Sequence, residues 1–475
     1  MEHVEARAGA YADSVTLMQV TAKAQAIDGV RAALVAMGTE LNLELLAGLG
    51  LAAPDHAGPN DMLVAIAADD GESLASALAV VDGALAARPA EQAGGDAAQP
   101  PRTTLSATRR AGPGLALISV PGQHAFAEAA DALDAGCDVM IFSDNVPVEQ
   151  EILLKDRAAE RGLLVLGPDC GTAIVGGIGL GFSHTVPAGP IGLVAASGTG
   201  AQQVICLLDA AGAGVSAVLG VGGRDLSAPV GGRSALTALA ALDEDPATQL
   251  IVLLSKPPAA DVAAGLMQHA AGLATPVQFA LVGPGQPDLT AAAEAALGAV
   301  GVPVPTWPVW PPPPARGHRH PGALRGLFAG GTLRDEAMVI AAERLGPVDE
   351  HTMIDFGDDE LTAGRPHPMI DQRLRLDRLA AEAADPHVTV ILLDVVLGHG
   401  AHPDPASELA PAITAALARR EDGDLTVVVS LIGATSDPQG LAAQASALAR
   451  AGAHVFASNA QAARFACEIA AGGAP

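Results

Sequence analysis

Short apolar runs recur along the chain, and each is followed by a stretch with helical spacing of apolar residues. Between residues 103 and 301 these runs are LALISVP, CDVMIFSD, LLVLGPD, PIGLVAA, VSAVLGVGG, QLIVLLSKP and PVQFALVGP. After residue 321 the alternation continues, with predicted strands at 324–328, 351–356, 388–396, 425–431 and 453–457. Strands that lack a polar face belong to parallel sheets covered by helices. The pattern therefore predicts an α/β fold of doubly wound parallel sheets.

Two polar, proline-rich segments divide the chain, at residues 88–102 and 302–320. The second contains both tryptophans, Trp307 and Trp310, which indicates that it packs on a domain face. Residues 1–88 are predicted to form a small α+β domain of ferredoxin-like size with a structural or regulatory role, its strands lying at 14–19, 31–36 and 62–67. The predicted domains are 1–88, 103–188, 189–305 and 321–475.

Composition narrows the range of functions. The chain has 475 residues and a formal net charge of −27, with 26 Lys and Arg against 53 Asp and Glu. Nucleic acid and anionic membranes both require clustered cations, so neither is an expected partner. The N-terminus has no apolar signal core, and no apolar stretch reaches the roughly 20 residues that span a bilayer. Four widely spaced cysteines suggest neither disulfides nor a metal site. We expect a cytoplasmic protein.

Four strand ends are rich in glycine and small polar residues, at 166–177, 195–200, 219–227 and 395–408. Such turns let a ligand approach the backbone, and the helix that follows adds about half a unit of positive charge. In doubly wound sheets these turns share one edge. Together they predict an anion-binding cleft, although each turn can also hold glycine for geometry alone.

Individual residues are also candidates for chemistry. Lys256, at a strand end, is a candidate for binding a carboxylate or phosphate, or is a solvated lysine. Arg365 and His367 lie in a proline-bounded loop, which either presents them to an oxyanion or is structural. His399 flanks a glycine turn and is a candidate general acid or base. Asp169 and Cys170 follow a strand end, where Cys170 is either a nucleophile or a small apolar filler.

The run GPDCGTAIVGGIGLGFSHTVPAGPIGLVAASGT resembles the α subunit of succinyl-CoA synthetase, in which a Gly-Pro-Asn-Cys-Pro-Gly turn precedes a strand ending in Ser-Gly-Thr. The preceding residues are similar to the end of that family's CoA-binding domain. Downstream, HTMIDFGDDE and LLDVVLGHGAHPDPASEL resemble the C-terminal domain of the β subunit. FdrA proteins carry both halves on one chain. This chain resembles that family also in two segments that are close to its motifs, GLFAGGTLRDEA and GRPHPMID. The resemblance implies a CoA-binding-like Rossmann-type domain followed by two flavodoxin-type domains.

The chain also departs from that superfamily. The superfamily carries a phosphohistidine in a Gly-His-Ala-Gly-Ala loop, and the corresponding stretch here, ALVGPGQPDL, has no histidine. Lys256 stands where the superfamily has the glutamate that supports the phosphohistidine. A nucleotide-grasp domain is missing, and ISVPGQHA replaces the first glycine-rich CoA turn. These departures argue against a phosphoryl relay from a nucleotide to CoA.

The FdrA resemblance implies a subunit of oxamate carbamoyltransferase, which acts in the breakdown of allantoin. That reaction converts oxalurate and phosphate into oxamate and carbamoyl phosphate, and the resemblance implies two further subunits. It also implies that two facing helix N-termini, Ser197-Gly198-Thr199 and Gly398-His399-Gly400, hold the anions. Phosphate is then a substrate, and no cofactor is certain.

Two other functions remain open. One is a diverged NDP-forming acyl-CoA synthetase or CoA-transferase-like enzyme without a phosphohistidine, for which CoA is a ligand. The other is a non-enzymatic assembly or regulatory scaffold.

Overall fold

The computed structural model describes residues 1–10, 12, 14–54, 56–86, 101, 103–312, 320–346, 351–362, 366–420 and 424–473. The chain divides into two compact units, residues 1–101 with 362–366, and residues 102–361 with 367–475. Most of the linker predicted at 88–102, and residues 313–319 of the second linker, lie outside the described residues.

The amino-terminal unit is a three-stranded antiparallel sheet with helices, in the strand order β1-β3-β2. Its elements are β1 Glu2–Arg7, α1 Ser14–Gln25, β2 Val30–Met37, α2 Glu40–Gly48, β3 Met62–Ala68 and α3 Gly71–Ala86. The strands predicted at 31–36 and 62–67 are confirmed.

The strand predicted at 14–19 is wrong, because this segment is the start of α1. Leu17, Val20 and Ala24 are the buried residues of α1, and their spacing of three and four is that of one helix face. The β-branched residues of SVTLMQV suggest a strand, yet the segment is helical because this face packs against the core of the sheet.

The second unit begins with a small parallel sheet in the order β4-β5-β6. Its elements are α4 Thr104–Ala111, β4 Leu115–Ile118, α5 Gly122–Asp134, β5 Asp138–Ile141, α6 Val148–Ala159 and β6 Val165–Leu166.

A six-stranded sheet follows, in the order β12-β11-β9-β10-β7-β8. Its strands and helices are β7 Thr172–Val175, β8 Ile178–Gly181, β9 Ala188–Ala195, α7 Gly198–Ala210, β10 Val215–Gly220, α8 Arg233–Glu244, β11 Leu250–Ser255, α9 Ala260–Ala270, β12 Val277–Leu281 and α10 Leu289–Ala299. Strands β9 to β12 are parallel, whereas the hairpin β7–β8 joins antiparallel to β10. The hairpin therefore belongs to this sheet, although it lies before the domain boundary predicted at residue 188.

The last sheet also has six strands, in the order β13-β18-β17-β16-β14-β15. Its elements are β13 Val309–Trp310, β14 Ala323–Phe328, α11 Gly331–Leu345, β15 Thr352–Asp355, α12 Asp359–Thr362, α13 Arg373–Ala384, β16 Val388–Val396, α14 Pro405–Ala418, β17 Thr426–Ile432, α15 Leu441–Arg450, β18 Ala453–Phe456 and α16 Asn459–Ala470. All pairs except β13 with β18 are parallel. Trp310 lies in β13, and the buried Trp307 donates from Nε1 to Glu294 Oε1 at 2.8 Å, so this part of the linker does pack on the domains.

Both faces of the long strands are buried, which confirms the predicted α/β class. On β16, Val390 and Leu392 belong to one core, and Ile391 and Leu393 belong to another. The first core also includes residues of β9, β11 and β14 and of the helices α7, α10, α11 and α16. These four helices thus form a layer shared by the two large sheets, and α7 contacts α11 within it.

Candidate functional site

Two helices of the shared layer begin side by side. Strand β9 leads into α7, whose N-cap is Ser197, and Ser197 Oγ accepts from the amide of Gly200 at 3.1 Å. Strand β14 leads into α11, whose N-cap is Gly330. Ser197 Oγ and Thr332 Oγ1 lie 2.6 Å apart, so a hydrogen bond links the two first turns. The first turns of the two helices are thus in direct contact.

Glycine is required where these turns meet. A Cβ on Gly330 would lie 2.7 Å from Cγ2 of Thr199, and one on Gly200 would lie 2.8 Å from a methyl of Leu254. Each helix N-terminus carries unsatisfied N–H groups and about half a unit of positive charge. Two such ends in contact repel each other, and an anion between them relieves the repulsion. Gly198 is exposed and Gly331 half-buried, so both first turns can be reached from solvent.

Charged side chains surround the first turn of α11. Lys256, in the loop after β11, lies with Nζ 2.7 Å from Asp335 Oδ2, and its side chain is half exposed. Arg334 Nε lies 2.7 Å from the other oxygen of the same carboxylate. A Cβ on Gly331 would lie 3.9 Å from Lys256 Nζ. Two cations therefore share one carboxylate beside the paired turns, and they leave positive charge for a bound anion.

Asp355, the last residue of β15, faces the same turn. Its Oδ2 would lie 2.5 Å from a Cβ on Gly331, and its Oδ1 accepts from the amide of Gly357 at 2.9 Å. Burial raises the pKa of Asp355 to about 6, and the neighbouring Asp394 adds to this. The hydrogen bond from Gly357 and the charges of Arg334 and Lys256 lower the pKa by less. This carboxyl group therefore exchanges protons near neutral pH.

His367 lies beside Asp355, as a neutral imidazole. Its Nδ1 accepts from the amide of Met369 at 3.2 Å, which assigns the hydrogen to Nε2. A Cβ on Gly357 would lie 2.8 Å from His367 Nε2 and 3.1 Å from Asp355 Oδ1. Burial lowers the pKa of His367 to about 4, and the charge of Arg375 lowers it further. His367 can therefore donate a hydrogen bond at neutral pH, but it carries no positive charge there.

A buried ion pair holds the α11 turn in place. Asp394, on β16, accepts from the amides of Ala329 and Gly330 at 2.7 and 2.9 Å. Arg375 Nη2 lies 3.1 Å from Asp394 and also donates to the carbonyl of Leu327 at 3.2 Å. Because these two amides are already bonded, the groups left for a ligand are those of the first helical turn itself.

The expectation that residues 398–400 form the second facing N-terminus is wrong. Helix α14 begins only at Pro405, with Asp404 as its N-cap. The amide of Gly398 donates to Gln439 Oε1 at 3.0 Å, and that of His399 donates to the carbonyl of Ser183 at 2.7 Å. The turn that faces Ser197-Gly198-Thr199 is Gly330-Gly331-Thr332.

The residues 398–400 instead close a contact between the two large sheets. His399 Nε2 lies 3.0 Å from Thr185 Oγ1, and a Cβ on Gly400 would lie 3.1 Å from the ring of Phe182. The neighbouring His184 is fully buried and pairs through Nδ1 with Asp437 Oδ2 at 2.7 Å. His399 is exposed, and its role as a general acid or base stays a prediction.

Cys170 lies in the core and is no nucleophile. Burial raises the pKa of its thiol to about 12, so the reactive thiolate does not form at neutral pH. A Cβ on Gly220 would lie 2.6 Å from its sulfur, which shows how closely it fills this space. Asp169 is exposed, with a φ of 57°, and its carboxylate lies near Gly223. Thus two of the predicted turns, at 166–177 and 219–227, do meet.

The N-terminus of α8, after the turn at 219–227, already holds an anion of the protein. Asp225 is fully buried and accepts from the amides of Ser234 and Ala235 at 3.0 and 2.9 Å. Lys155 Nζ lies 2.7 Å from both Asp225 and Glu151. This buried cluster ties α6 to α8 and leaves no place for an external anion at that helix end.

Sequence reasoning missed the second turn and its carboxylates. Gly330, Gly331 and Thr332 follow a strand and open a helix, which is the same signal that AASGTG carries. Asp355 and Asp394 lie at or near strand ends, yet nothing local distinguishes them from other acids of this chain. Arg365 lies outside the described residues.

The described ranges contain neither a cluster of metal ligands nor a membrane-spanning helix. No three His, Cys, Asp or Glu side chains there gather as a metal site would require. No helix there combines the length and apolar character that crossing a bilayer requires.

Comparisons with known proteins agree with this architecture. Residues 1–101 match the family model described as AllF, heavy metal-associated domain, and residues 327–469 match the CoA-ligase model. Soft metals prefer thiolate ligands, and residues 1–101 contain no cysteine, so this domain has no thiolate pair for such an ion.

Two solved structures also align, but at low similarity. A Ca. Korarchaeum cryptofilum acetyl-coenzyme A synthetase is 16% identical with a TM-score of 0.28, and PH0766 from Pyrococcus horikoshii is 17% identical with a TM-score of 0.29. Each alignment covers 75% of this chain and 83% of the other. Similarity at this level adds nothing to the geometry described above.

Curated relatives fall into two groups. The α subunit of succinate–CoA ligase [ADP-forming] from Aquifex aeolicus is 28% identical over 32% of this chain, and that from Methanothermobacter thermautotrophicus is 32% identical over 30%. This chain spans about half the length of each, 51% and 47%. The uncharacterized protein YahF of Escherichia coli (strain K12) is 38% identical over 94% of this chain and 95% of its own length. The chain therefore belongs to the YahF family, within the succinyl-CoA synthetase-like superfamily.

Proposed function

We propose that the chain is the substrate-binding subunit of an oxamate carbamoyltransferase of the FdrA type. The observation that carries this proposal is the pair of helix N-termini at residues 197–200 and 330–333, joined by the hydrogen bond between Ser197 and Thr332. Phosphate is held by the first-turn amides of both helices, and Lys256 and Arg334 balance the charge of the second anion.

The chemistry requires two small anions side by side. A phosphate oxygen attacks the ureido carbonyl carbon of oxalurate, a C–O bond forms, and the C–N bond to the oxamate nitrogen breaks. Holding both reactants in one cleft removes most of the entropic barrier. Amides and cations aimed at the reacting carbonyl stabilise the charge that develops on its oxygen.

This reaction needs no phosphohistidine, and the sequence around the cleft offers none. The two turns and the loop that carries Lys256, residues 195–202, 328–335 and 255–260, contain no histidine. His367 is the histidine placed next to Asp355, and its Nε2 carries the hydrogen, so it is not poised as a nucleophile. Direct attack by phosphate is consistent with this set of residues.

The alternative is an acyl-CoA synthetase-like enzyme, which the similarity to succinate–CoA ligases and the CoA-ligase model favour. The resemblance to succinyl-CoA synthetase implies that CoA would bind at the domain that contains the first parallel sheet. The turns after β4, β5 and β6 contain Asp144 and Asp169 but no Lys or Arg. A Cβ on Gly122, at the start of α5, would lie 2.2 Å from the carbonyl oxygen of Asp144. Acidic turns and a covered helix start suit the phosphates of CoA poorly.

The test is carbamoyl phosphate formation from oxalurate and inorganic phosphate, followed by ³¹P NMR. The full chain is used together with the subunits that co-purify with it, and phosphate binding is measured in parallel by calorimetry. We expect a carbamoyl phosphate resonance that depends on both substrates. CoA binding, or a phosphorylated chain after incubation with nucleotide, together with no carbamoyl phosphate would favour the alternative instead. If the chain binds neither phosphate nor CoA, the result would favour the non-enzymatic scaffold instead.

A further inference from the structure

The Asp355 carboxyl group is presented to the cleft in a fixed orientation. The amide of Gly357 holds Oδ1, and this leaves Oδ2 directed at the first turn of α11, 2.5 Å from where a Cβ on Gly331 would lie. Lys256 Nζ lies 3.9 Å from the same point. Because Gly331 has no side chain, a carboxyl oxygen and an ammonium group both lie close to the first turn of α11.

Charges reach Asp355 from several elements. Asp394 on β16 repels its carboxylate, while Lys256 after β11 and Arg334 on α11 attract it. Arg375 on α13 also attracts it.

The remaining neighbour of Asp355 is neutral at pH 7. This is His367, whose pKa is lowered to about 4. Burial outweighs the attractive charges and raises the pKa of Asp355 to about 6, within reach of neutral pH. A bound phosphate adds a further negative charge beside Asp355, so the protonated form becomes still more favourable in the complex.

We infer that Asp355 is the general acid that protonates the departing oxamate nitrogen, an inference that rests on the proposed function. As phosphate oxygen bonds to the ureido carbon, the C–N bond breaks and its electron pair takes the proton from Asp355 Oδ2. The products are oxamate and carbamoyl phosphate, and the carboxylate regains a proton from the phosphate group, which entered as hydrogen phosphate. In the reverse direction Asp355 takes the proton from the oxamate amide. Without a donor the leaving group is a strongly basic amide anion.

The kinetic test compares the wild-type complex with D355N and with the control D377N. Asp377 lies exposed on α13, so D377N removes the same charge outside the cleft. We expect D355N to lower kcat/KM for phosphorolysis by about 10²–10⁴-fold, the usual contribution of general acid catalysis. Because phosphate itself titrates, the ratio of wild-type to D355N activity is followed against pH. This ratio should fall about tenfold per unit of pH above the pKa of Asp355, and D377N should match the wild type.

A binding test does not depend on turnover. Calorimetry of inorganic phosphate with the wild-type chain should show affinity that weakens as the pH rises through about 6, after correction for the titration of phosphate itself. D355N should bind phosphate at least about tenfold more tightly than the wild type at pH 8, because one repulsive charge is gone. If D355N does not fold, a wild-type phosphate affinity that does not weaken as the pH rises through about 6 still overturns the placement of Asp355 beside the anion.

The outcomes separate the inference from the function on which it rests. An active wild-type complex whose D355N variant keeps full activity, with a ratio independent of pH, overturns the role of Asp355 and leaves the proposed function intact. A wild-type complex that makes no carbamoyl phosphate overturns both. Loss of activity in D355N with the expected pH-dependent ratio supports the inference.

Discussion

The hydroxyl oxygens of Ser197 and Thr332 lie 2.6 Å apart and join the first turns of two helices that follow strands of different sheets. Ser197 already accepts from the amide of Gly200, so one hydroxyl oxygen caps its own helix and bonds to the neighbouring one. This relationship holds two positive helix ends together, and the proposed function depends on an anion that binds beside them.

Replacing Ser197 by alanine should weaken both the cap and the cleft. We expect S197A to lower the free energy of unfolding by about 1 kcal/mol, the usual value of an N-cap, and to weaken phosphate binding about tenfold. The measurements are urea unfolding and calorimetric titration with inorganic phosphate.

Ser458 provides a matched control for this variant. It caps α16 by accepting from the amide of Gln461 and lies 2.7 Å from Thr290 Oγ1, so it makes the same two kinds of bond. S458A should lose similar stability and keep wild-type phosphate affinity. Equal phosphate binding by S197A and S458A would contradict the anion cleft.

A methyl group at Gly331 should occupy the space for the ligand. In G331A the new Cβ would lie 2.5 Å from Asp355 Oδ2, so the carboxylate must move and the cleft narrows. We expect phosphate affinity to fall more than about tenfold and stability to fall by about 1–3 kcal/mol, as for overpacking. G298A in α10 is the control, because nothing lies within 4 Å of its new Cβ, and it should be about 0.5–1 kcal/mol more stable. Unchanged phosphate affinity in G331A would count against this location.

Lys256 should bind anions, and the lysine content of the chain makes this easy to test. The three lysines are Lys23, Lys155 and Lys256, of which Lys155 is buried and Lys23 exposed. Inorganic phosphate should protect Lys256, but not Lys23, from acylation followed by mass spectrometry. K256M should raise the phosphate dissociation constant about tenfold, because a cation beside the bound anion is lost. K23M changes the net charge equally and should leave phosphate binding unchanged. Acylation of Lys256 at the same rate with and without phosphate would show that Lys256 does not bind the anion.

Glu336 should make stability depend on pH without affecting the cleft. It is buried in α11, accepts from the amide of Leu289 at 2.6 Å and from Asn459 Nδ2 at 2.7 Å, and burial raises its pKa to about 7. A carboxyl with a raised pKa in the folded state stabilises the protein fully below its unfolded pKa of about 4.5, and this stabilisation is lost as the pH rises through about 7.

The corresponding measurement is urea unfolding of the wild type and two variants between pH 5 and pH 8. The wild type should lose about 2–3 kcal/mol more than E336Q over this range, since glutamine does not titrate. E343Q, at an exposed position of the same helix, should follow the wild type. Parallel pH profiles of the wild type and E336Q would show that Glu336 does not titrate there.

Local pattern was sufficient to predict the parallel strands, because a strand buried on both faces must be apolar throughout, as VTVILLDVV of β16 is. It was insufficient for α1, where SVTLMQV has residues typical of strands and forms a helix through tertiary packing. It left Cys170 open as a nucleophile or an apolar filler, since nothing in the neighbouring residues reveals that Gly220 packs onto its sulfur. The turn at 398–400 carries glycines, but they serve the contact with Ser183 and not a helix start.

The α/β class, the strand-to-helix turns and the position of Ser197 at a helix start all follow from the local pattern of residues. Which turn lies opposite Ser197, and which acids border it, depends on how the two large sheets pack. The physical reason is that helix capping and strand burial depend on neighbours a few residues away, whereas the pairing of α7 with α11 arises from a core shared by two sheets. A contact such as that of Ser197 with Thr332, between residues 135 positions apart, leaves no trace in the local pattern of either segment.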